Sequence, residues 1–467
     1  MEVPIDHKWW AKEVFGRSTL GDRRRTNRLV DYAARQAAKS SSSTHAVCEG
    51  DSAAAEGAYR LLRNPEVKPE AMAESGYGLT VRLCGEADVV LAIQDSTTMA
   101  YGHSVSEELG DLGGKSWSKK RGYWVHSTLA LDGQDGEVLG LLDQHWWVRR
   151  SRRKRRGENK SMPYEQKESF KWQRAVEAVA KRMTRMEKVV MVGDREADVH
   201  EYLEFMDRGG YRYVVRAERN RRVQSEAGYL WETVESQAVA FRREVTIPQK
   251  GGRPERLAEV EVRFCEVELR PPVKHAHRGS MRLWAVLLKE METKGGLGEG
   301  LEWMLLTSEK IDTEERAWQV VTWYRRRWAI EDFHKAWKTG CGAEARRFHK
   351  PETMRRVLTI LAFVAARLLQ LRHLSLNEPE APCDRVLTKE QWVCLVVLSK
   401  EGRGRPLPDS VPSIRWAVEH IAQLGGWIKS KQTMAIGWQT LWKGWQRLDE
   451  RVIGFLAAQE MAHACKV

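Results

Sequence analysis

Two aspartates each follow an apolar run that is typical of a buried strand. Asp95 comes directly after the run 88–94, and Asp194 comes directly after the run 188–193. A carboxylate just past the carboxyl end of a buried strand can emerge into a crevice at the edge of a sheet. An aspartate in such a place is more often a turn former or a helix N-cap, so position alone does not assign either residue to chemistry.

The residues that follow Asp194 are crowded with groups that can carry charge. Every second side chain from 194 to 200 is acidic or an imidazole. Such crowding raises the electrostatic free energy unless cations or salt bridges compensate it. The segment therefore points to a cation site or to a set of ion pairs.

A third acidic residue lies in a segment with helical periodicity. At 100° per residue, four side chains fall within an arc of roughly 60° on one helix face: Tyr324, Arg327, Glu331 and Lys338. An exposed helix with an i,i+4 salt bridge between Arg327 and Glu331 would give part of this pattern. The apolar side chains of the same segment favour an amphipathic helix whose polar face covers a site.

Three carboxylates from two strand ends and one helix form a hard-oxygen site suited to Mg²⁺, with Mn²⁺ as a substitute. Two such ions can activate a water or a 3′-hydroxyl and stabilise the leaving oxygen in phosphodiester displacement. Asp95, Asp194 and Glu331 are therefore the candidate catalytic residues and metal ligands. In that arrangement Arg327 and Lys338 would bind the phosphates that flank the scissile bond.

The whole chain is basic, with a formal net charge of +13 over 467 residues, which favours a polyanionic partner such as nucleic acid. Its 42% hydrophobic and 30% charged residues are typical of a globular protein. The 7 cysteines include no CxxC pair, which argues against a zinc ribbon or a disulfide framework. We read no signal peptide and no membrane span, so we expect a cytoplasmic protein with no membrane partner.

The elements that must position these residues follow in a mixed order. Helical patterns cover 9–15, 23–38 and 52–63, and strand patterns cover 88–94, 123–131, 138–147 and 188–193, with a helix at 170–186. This order indicates an α/β fold with mixed strand pairing. A β-rich stretch covers 211–307, helical periodicity resumes at 314, and the chain after 382 is mostly helical.

Two segments concentrate basic residues. Arg24, Arg25 and Arg28 lie near the start of the helix 23–38, where they form either a solvated face or a surface for DNA. The run 149–156 consists almost entirely of arginine and lysine. We expect it to be an exposed loop that either contacts phosphates or only adds solubility.

Together these motifs resemble the DDE transposases of bacterial cut-and-paste elements. The spacing of Tyr324, Arg327, Glu331 and Lys338 matches the Tyr-x2-Arg-x3-Glu-x6-Lys signature of the insertion-sequence-four group. Within that group the chain is most similar to the transposon-five type. Supporting segments lie along nearly the whole chain, at 20–22, 56–60, 107–110, 124–127, 194–198 and 333–340.

The resemblance implies an RNase H-like catalytic domain at 69–372, with a β-rich insertion at about 205–312. It implies a helical domain at 1–68 that reads the transposon end and a helical domain at 373–467 that dimerises. The implied partners are double-stranded transposon ends, target DNA and a second copy of the chain, on the bacterial nucleoid. The implied reaction, with two metal ions per active site, is nicking, hairpin formation, hairpin opening and transfer of the 3′-hydroxyl ends.

The resemblance also implies DNA contacts for individual residues. Trp303 matches a tryptophan that stacks on a base flipped out at the hairpin, although a tryptophan at a strand start could instead belong to the core. Arg216 and Tyr324 match positions near the scissile phosphate, and Lys335 is a further expected contact. The arginines expected to touch the end DNA are Arg24, Arg25 and Arg28.

Two other functions stay open at this point. An RNase H-like nuclease or another recombinase could use the same carboxylates without hairpin chemistry. A noncatalytic DNA-binding descendant of a transposase is the second alternative. Such a descendant would often have lost a carboxylate or a signature residue, and all of them are present here.

Overall fold

The computed structural model describes residues 6–113, 120–149, 162–247, 256–273, 277–291, 300–399, 406–428 and 436–464. The arginine-rich run lies outside these described residues from 150 onward, and its expected role as a loop is not addressed by the structure.

Helices form the N-terminal region close to the bounds that the sequence predicts. They are α1 (His7–Phe15), α2 (Arg23–Ala38) and α3 (Ser52–Arg63), and they are followed by α4 (Pro69–Glu86), which was not predicted from the sequence. The carboxylate of Asp22 caps α2, because it accepts the N–H of Arg24 at 2.7 Å. Asn64 and Pro65 follow the last residue of α3, in agreement with the predicted helix stop.

A ten-stranded mixed sheet forms the centre of the protein. Its strands are β1 (Val90–Tyr101), β2 (Gly110–Asp111), β3 (Arg121–Asp132), β4 (Val138–Trp147), β5 (Val189–Gly193), β6 (Arg212–Arg216), β7 (Phe241–Ile247), β8 (Arg256–Leu269), β9 (Met281–Glu290) and β10 (Glu302–Thr307). Their order is β2-β3-β1-β5-β6-β10-β9-β8-β7, and β4 also pairs with β3. β5 lies parallel to both β1 and β6, whereas the remaining pairings are antiparallel.

The β-rich stretch continues the same sheet. β10 pairs with β6, which places Leu305 opposite Arg216 and Thr307 opposite Val214. β9, β8 and β7 then follow outward to the edge. Because β6 itself falls within the insertion expected at about 205–312, this stretch is joined to the rest of the sheet by the parallel pairing of β6 with β5.

Helices cover both faces of the sheet. One face packs against α5 (Lys171–Arg182), α6 (His200–Arg208) and α7 (Leu230–Glu235). The other packs against α8 (Glu314–Arg325), α9 (Trp328–Lys335) and α10 (Pro351–Asn377). By length and composition α10 could cross a membrane, but 83% of its most apolar window is buried inside the protein. Packing in the core accounts for its apolar sequence.

The N-terminal helices share one hydrophobic core with the sheet. Trp10 and Leu62 belong to the same cluster as Leu91 on β1 and Phe363 on α10. A separate cluster packs the C-terminal helices, which are α11 (Lys389–Leu398), α12 (Ile414–Leu424) and α13 (Trp438–Ala464). The domain limits 1–68, 69–372 and 373–467 stay predictions.

Two expectations about local structure are wrong. The strand expected to end before Asp95 continues to Tyr101, because β3 pairs with β1 along its whole length. The helix expected to run unbroken through the signature segment ends at Arg325 and restarts at Trp328. It then passes into a π-helical turn, Ala336–Gly340, so Lys338 does not keep the face of a regular helix.

Candidate active site

Two neighbouring parallel strands bring Asp95 and Asp194 together. The pairing of β1 with β5 ends at Ile93 and Val192, so each aspartate lies just beyond the last parallel pair. Both carboxylates therefore lie at the same edge of the parallel part of the sheet. The carboxylate of Asp194 also accepts the N–H of Glu196 at 2.9 Å. Asp194 therefore caps the following helical turn, as an aspartate after a strand often does, and also lies in the crevice.

Glu331 approaches these aspartates from α9, next to the buried guanidinium of Arg327. Nη2 of Arg327 donates to Oε1 of Glu331 at 2.8 Å. Burial raises the pKa of Asp95 to about 7, and the charges of Asp194 and Glu331 add to the increase. Burial also raises the pKa of Asp194, and Arg327 opposes both increases. The site is therefore a group of mutually repelling acids beside one arginine.

An open cleft of about 970 Å³ is lined by Glu331 and Arg327. Arginines and aromatic rings line much of it, among them Arg195, Arg216, Trp231, Trp303, Arg327 and Trp328. The ring of Trp303 packs edge-on against that of Tyr324, with 5.0 Å between the centroids. Trp303 is 8% exposed, so it both packs in the core and lines the cleft. A smaller cavity of about 430 Å³ lies elsewhere, between α1, α4, β4 and α10.

The arginines of the cleft are held by neighbouring groups. Arg216 donates from Nη2 to the carbonyl oxygen of Glu302 at 2.7 Å. Burial lowers the pKa of Arg216, and the nearby Tyr324 opposes this decrease. The guanidinium of Arg327 lies 5.1 Å from the ring centre of Trp328. These contacts hold two fixed cations over the cleft, which is an arrangement that suits phosphate groups.

The two lysines of the signature segment have partners of their own. Nζ of Lys338 lies 3.4 Å from Oε1 of Glu344. Nζ of Lys335 lies 3.6 Å from Asp332, and the Lys335 side chain is 63% exposed. Both lysines lie on the segment that carries Glu331, and Lys335 is the more exposed of the two.

The N-terminal arginines belong to a different surface, the groove between α2 and α3. Arg28 lines this groove together with Arg35 and Arg60. The side chain of Arg24 is 85% exposed. Arg25 is partly committed to the fold, because its Nη1 donates to the carbonyl of Leu20 at 2.9 Å. The structure thus leaves Arg24 and Arg28 accessible for a polyanion and ties Arg25 to the turn before α2.

Ion pairs relieve the crowding after Asp194. Asp198 is fully buried and accepts from Nε of Arg221 at 2.8 Å. Glu196 pairs with Lys171 at 2.9 Å. Burial lowers the pKa of His200, and Arg221 lowers it further. Beyond Asp194 this segment therefore stabilises the fold around the site.

Sequence reasoning missed His334 as a neighbour of the acids. Its Nδ1 lies 3.9 Å from Oδ2 of Asp95. Burial lowers the pKa of His334 to about 3, so the imidazole is neutral at physiological pH. The signal was available, because His334 follows Glu331 by three positions and such residues share a helix face. Arg195 and Trp328, which adjoin Asp194 and Arg327 in the chain, were missed in the same way.

The donor atoms of the acidic group suit a hard divalent cation, because carboxylate oxygens are preferred ligands of Mg²⁺. Burial is the main cause of the raised pKa of Asp95 and the neighbouring acids add to it, so the positive charge of a bound cation would favour the ionised carboxylate. In the parts of the chain that the structure describes, no three acidic, histidine or cysteine side chains converge closely enough to hold one ion. One oxygen of Glu331 accepts from Arg327, and the charge of Glu331 still contributes to the raised pKa of Asp95.

Family models match two segments of the chain. Residues 165–367 match a transposase DDE domain, and residues 7–67 match a transposase DNA-binding segment. The first match contains Asp194 and Glu331, whereas Asp95 precedes it and is placed by the pairing of β1 with β5. The second contains the arginines of α2.

A DDE domain implies an RNase H-like core, and the mixed sheet with helices on both faces agrees with that architecture. The DDE domain also accounts for the acids, since such domains use divalent metal ions. With a DNA-binding segment and a DDE catalytic domain in one chain, the protein is a metal-dependent DNA transposase of the DDE type.

Proposed function

We propose that this enzyme carries out cut-and-paste transposition as a member of the insertion-sequence-four group, of the transposon-five type. The main support for the proposal is that Asp95 and Asp194 meet just beyond the last parallel pair of β1 and β5. Glu331 lies close enough for its charge to contribute to the raised pKa of Asp95. The signature spacing of Tyr324 and Arg327 before Glu331 supports the assignment to this group.

Asp95, Asp194 and Glu331 would hold two Mg²⁺ ions per active site, with Mn²⁺ as a substitute. When bound, the ions activate the attacking hydroxyl and stabilise the leaving oxygen. The two aspartates provide their oxygens at the point where the parallel pairing of β1 and β5 ends, and the sheet holds this point in place. Glu331 becomes available when Arg327 turns to a DNA phosphate, because a phosphate competes with the carboxylate for the same guanidinium.

The side chains of the cleft then position the DNA. Arg216, Arg327 and Tyr324 bind around the scissile phosphate, with Lys335 and Lys338 on phosphates beside it. Water first displaces a 3′-oxygen from phosphorus and so nicks one strand. The freed 3′-hydroxyl attacks the opposite strand and forms a hairpin, water opens the hairpin, and the 3′-hydroxyl joins target DNA. In each step one P–O bond forms as another breaks, and Trp303 holds the base extruded at the hairpin.

The proposed catalytic unit is a homodimer that pairs two transposon ends. The end DNA would bind in the groove that Arg28 lines. The exposed Arg24 and the turn held by Arg25 lie at the start of the same helix, α2, and would contribute to this contact. The C-terminal helix α13 carries exposed apolar side chains, Ile453, Leu456 and Met461, which suit contact with a second copy. This supports a dimerisation role for the region 373–467.

Carboxamide variants test the site. We expect Asp95→Asn, Asp194→Asn and Glu331→Gln each to slow Mg²⁺-dependent nicking by roughly 10³-fold or more, because each loses a charged ligand. Binding of a duplex with the terminal inverted repeat should change little. Retained nicking by any one variant would remove that residue from the site.

A pre-nicked end separates the alternatives. A nuclease without hairpin chemistry would nick an intact end and leave the pre-nicked end unchanged. A noncatalytic DNA-binding descendant would bind the end and do neither. Hairpin product from the pre-nicked end, dependent on added Mg²⁺ and on Asp194, is the result that we expect.

A further inference from the structure

The ammonium of Lys338 pairs with the carboxylate of Glu344, a residue outside the Tyr-Arg-Glu-Lys signature. Its Nζ lies 3.4 Å from Oε1 of Glu344. The same oxygen accepts the backbone N–H of Ala100 at 2.9 Å. Ala100 lies on β1, the strand that carries Asp95. One carboxylate oxygen therefore joins the signature lysine to the strand of a candidate catalytic residue.

The path of the chain explains why this contact forms. Lys338 lies in the π-helical turn Ala336–Gly340, which widens the end of the helix. The N–H of Cys341 donates to the carbonyl of Ala336 at 2.7 Å and closes this turn. Gly342 then adopts a φ of 60°, which reverses the chain and returns Glu344 toward Lys338.

The loop that carries Glu344 is fixed from two sides. The hydroxyl of Tyr101, at the end of β1, donates to the carbonyl of Ala343 at 3.2 Å. Arg346 is buried and donates from Nη2 to the carbonyl of Ser40, just after α2, at 2.6 Å. A side chain can set the position of another only when its own support is rigid, and Glu344 meets that condition.

The exposures of the pair fit a contact with a ligand. The Lys338 side chain is 25% exposed and that of Glu344 is 33% exposed, so the ammonium is reachable from solvent. A lysine on a flexible stem samples many positions unless a partner limits it. An ammonium has three N–H donors, so it can bond to Glu344 and to a phosphate at the same time.

We propose that Glu344 is a positioning residue that fixes Nζ of Lys338 for a DNA phosphate beside the scissile bond. This inference rests on the proposed function, in which Lys338 binds such a phosphate. Without the Glu344 carboxylate, the Lys338 ammonium keeps its charge but is no longer confined to one position. Loss of Glu344 therefore slows the chemical step more than it weakens binding, because catalysis depends on geometry more steeply than binding does.

Variants of the full-length chain test this. Glu344→Gln keeps an oxygen for the N–H of Ala100 and removes the charge that holds Lys338, whereas Glu344→Ala removes both. We expect single-turnover cleavage of an inverted-repeat duplex in Mg²⁺ to fall about 10-fold and about 100-fold, respectively, with less than about 3-fold change in Kd. In a Lys338→Ala background, Glu344→Gln should cause no further loss, because the two residues act as one unit.

Glu187→Gln is the matched control. Glu187 is an exposed acid paired with Arg185 at 2.9 Å, at the opposite end of β5 from Asp194. Its loss should leave both cleavage and Kd unchanged.

Each contrary outcome has a distinct meaning. Additive losses from Glu344→Gln and Lys338→Ala would overturn the inference, since Glu344 would then act on some other group. A loss of cleavage matched by an equal loss of DNA affinity would overturn it as well. Wild-type cleavage by Glu344→Gln, when Lys338→Ala is slow, would overturn the role of Glu344 alone. Wild-type cleavage by Lys338→Ala would instead overturn the phosphate contact in the proposed function.

Discussion

Replacement of Trp303 separates its packing in β10 from its proposed role, stacking on an extruded base. Trp303 is 8% exposed, contacts Tyr324 edge-on at 5.0 Å and lines the cleft beside Arg216. We expect Trp303→Ala to nick a transposon end at close to the wild-type rate. Hairpin formation should fall, because the extruded base loses the ring on which it stacks.

The size of the effect follows from stacking energetics. A base stacked on an aromatic side chain gains about 1–3 kcal/mol. If the hairpin transition state loses this amount, its formation slows by roughly 5- to 150-fold. Truncation of a buried tryptophan also costs about 3–5 kcal/mol of folding free energy. The two losses must therefore be measured separately.

Single-turnover assays on two substrates give that separation. An intact end reports nicking, and a pre-nicked end reports hairpin formation, both at a temperature where thermal unfolding shows each variant to be folded. Trp303→Leu fills much of the volume without a ring, and Trp303→Phe keeps a ring. We expect the leucine variant to lose hairpin formation and the phenylalanine variant to retain most of it.

An abasic substrate completes the test. When the extruded base is absent, the difference between Trp303→Leu and the wild type should disappear. Equal loss of nicking and hairpin formation in Trp303→Leu, or a difference that persists on the abasic end, would refute base stacking and assign Trp303 to the core.

Three further predictions concern the fold that supports the site. Arg221→Met should lower the melting temperature by leaving the buried Asp198 without its cation, at a cost of about 3–5 kcal/mol, and a second change, Asp198→Asn, should recover much of the loss. Burial lowers the pKa of His7 to about 3, below its ordinary 6.5, so the stability tied to neutral His7 is complete above pH 6.5 and declines as the pH falls. Between pH 6.5 and pH 5 the free energy of unfolding should fall by about 2 kcal/mol in the wild type. Urea titrations of His7→Gln over the same pH range should lack this fall. If His7→Gln loses as much stability as the wild type, the assignment to His7 is wrong. Asp22→Ala removes the cap of α2 and should cost about 1 kcal/mol in urea unfolding, with no loss expected if another group replaces the cap.

Features that depend on sequence neighbours were predictable. Helix α2 has the predicted bounds because Asp22 caps it, and α3 ends where Asn64 and Pro65 mark a stop. The short strand before Asp194 was recognisable because an apolar run ends at a residue that forms a turn. The same reasoning brought Asp95 and Asp194 to one crevice, since the ends of neighbouring parallel strands meet.

Features set by contacts distant in the chain were not predictable. The length of β1 depends on its pairing with β3, so the sequence around Asp95 alone suggested a strand end that does not exist. Neither glycine nor proline marks the helix break after Arg325 or begins the π-helical turn at Ala336, and both follow from packing. The ion pair between Lys338 and Glu344 lies at this irregular turn, and the helical pattern gave no sign of it. The roles of individual DNA contacts stay predictions.

The hydrogen bonds that join β10 to β6 fix a separation along the sheet. Trp303 lies on β10 and Asp194 directly follows β5, and one strand, β6, separates these two strands in the sheet. Because adjacent strands lie about 4.8 Å apart, β10 and β5 are about 10 Å apart across the sheet. Loops do not set this spacing. Strands could be gained or lost at the outer edge, beyond β9, without moving the tryptophan relative to the acids. The spacing that the proposed hairpin chemistry needs therefore does not depend on the size of that outer edge.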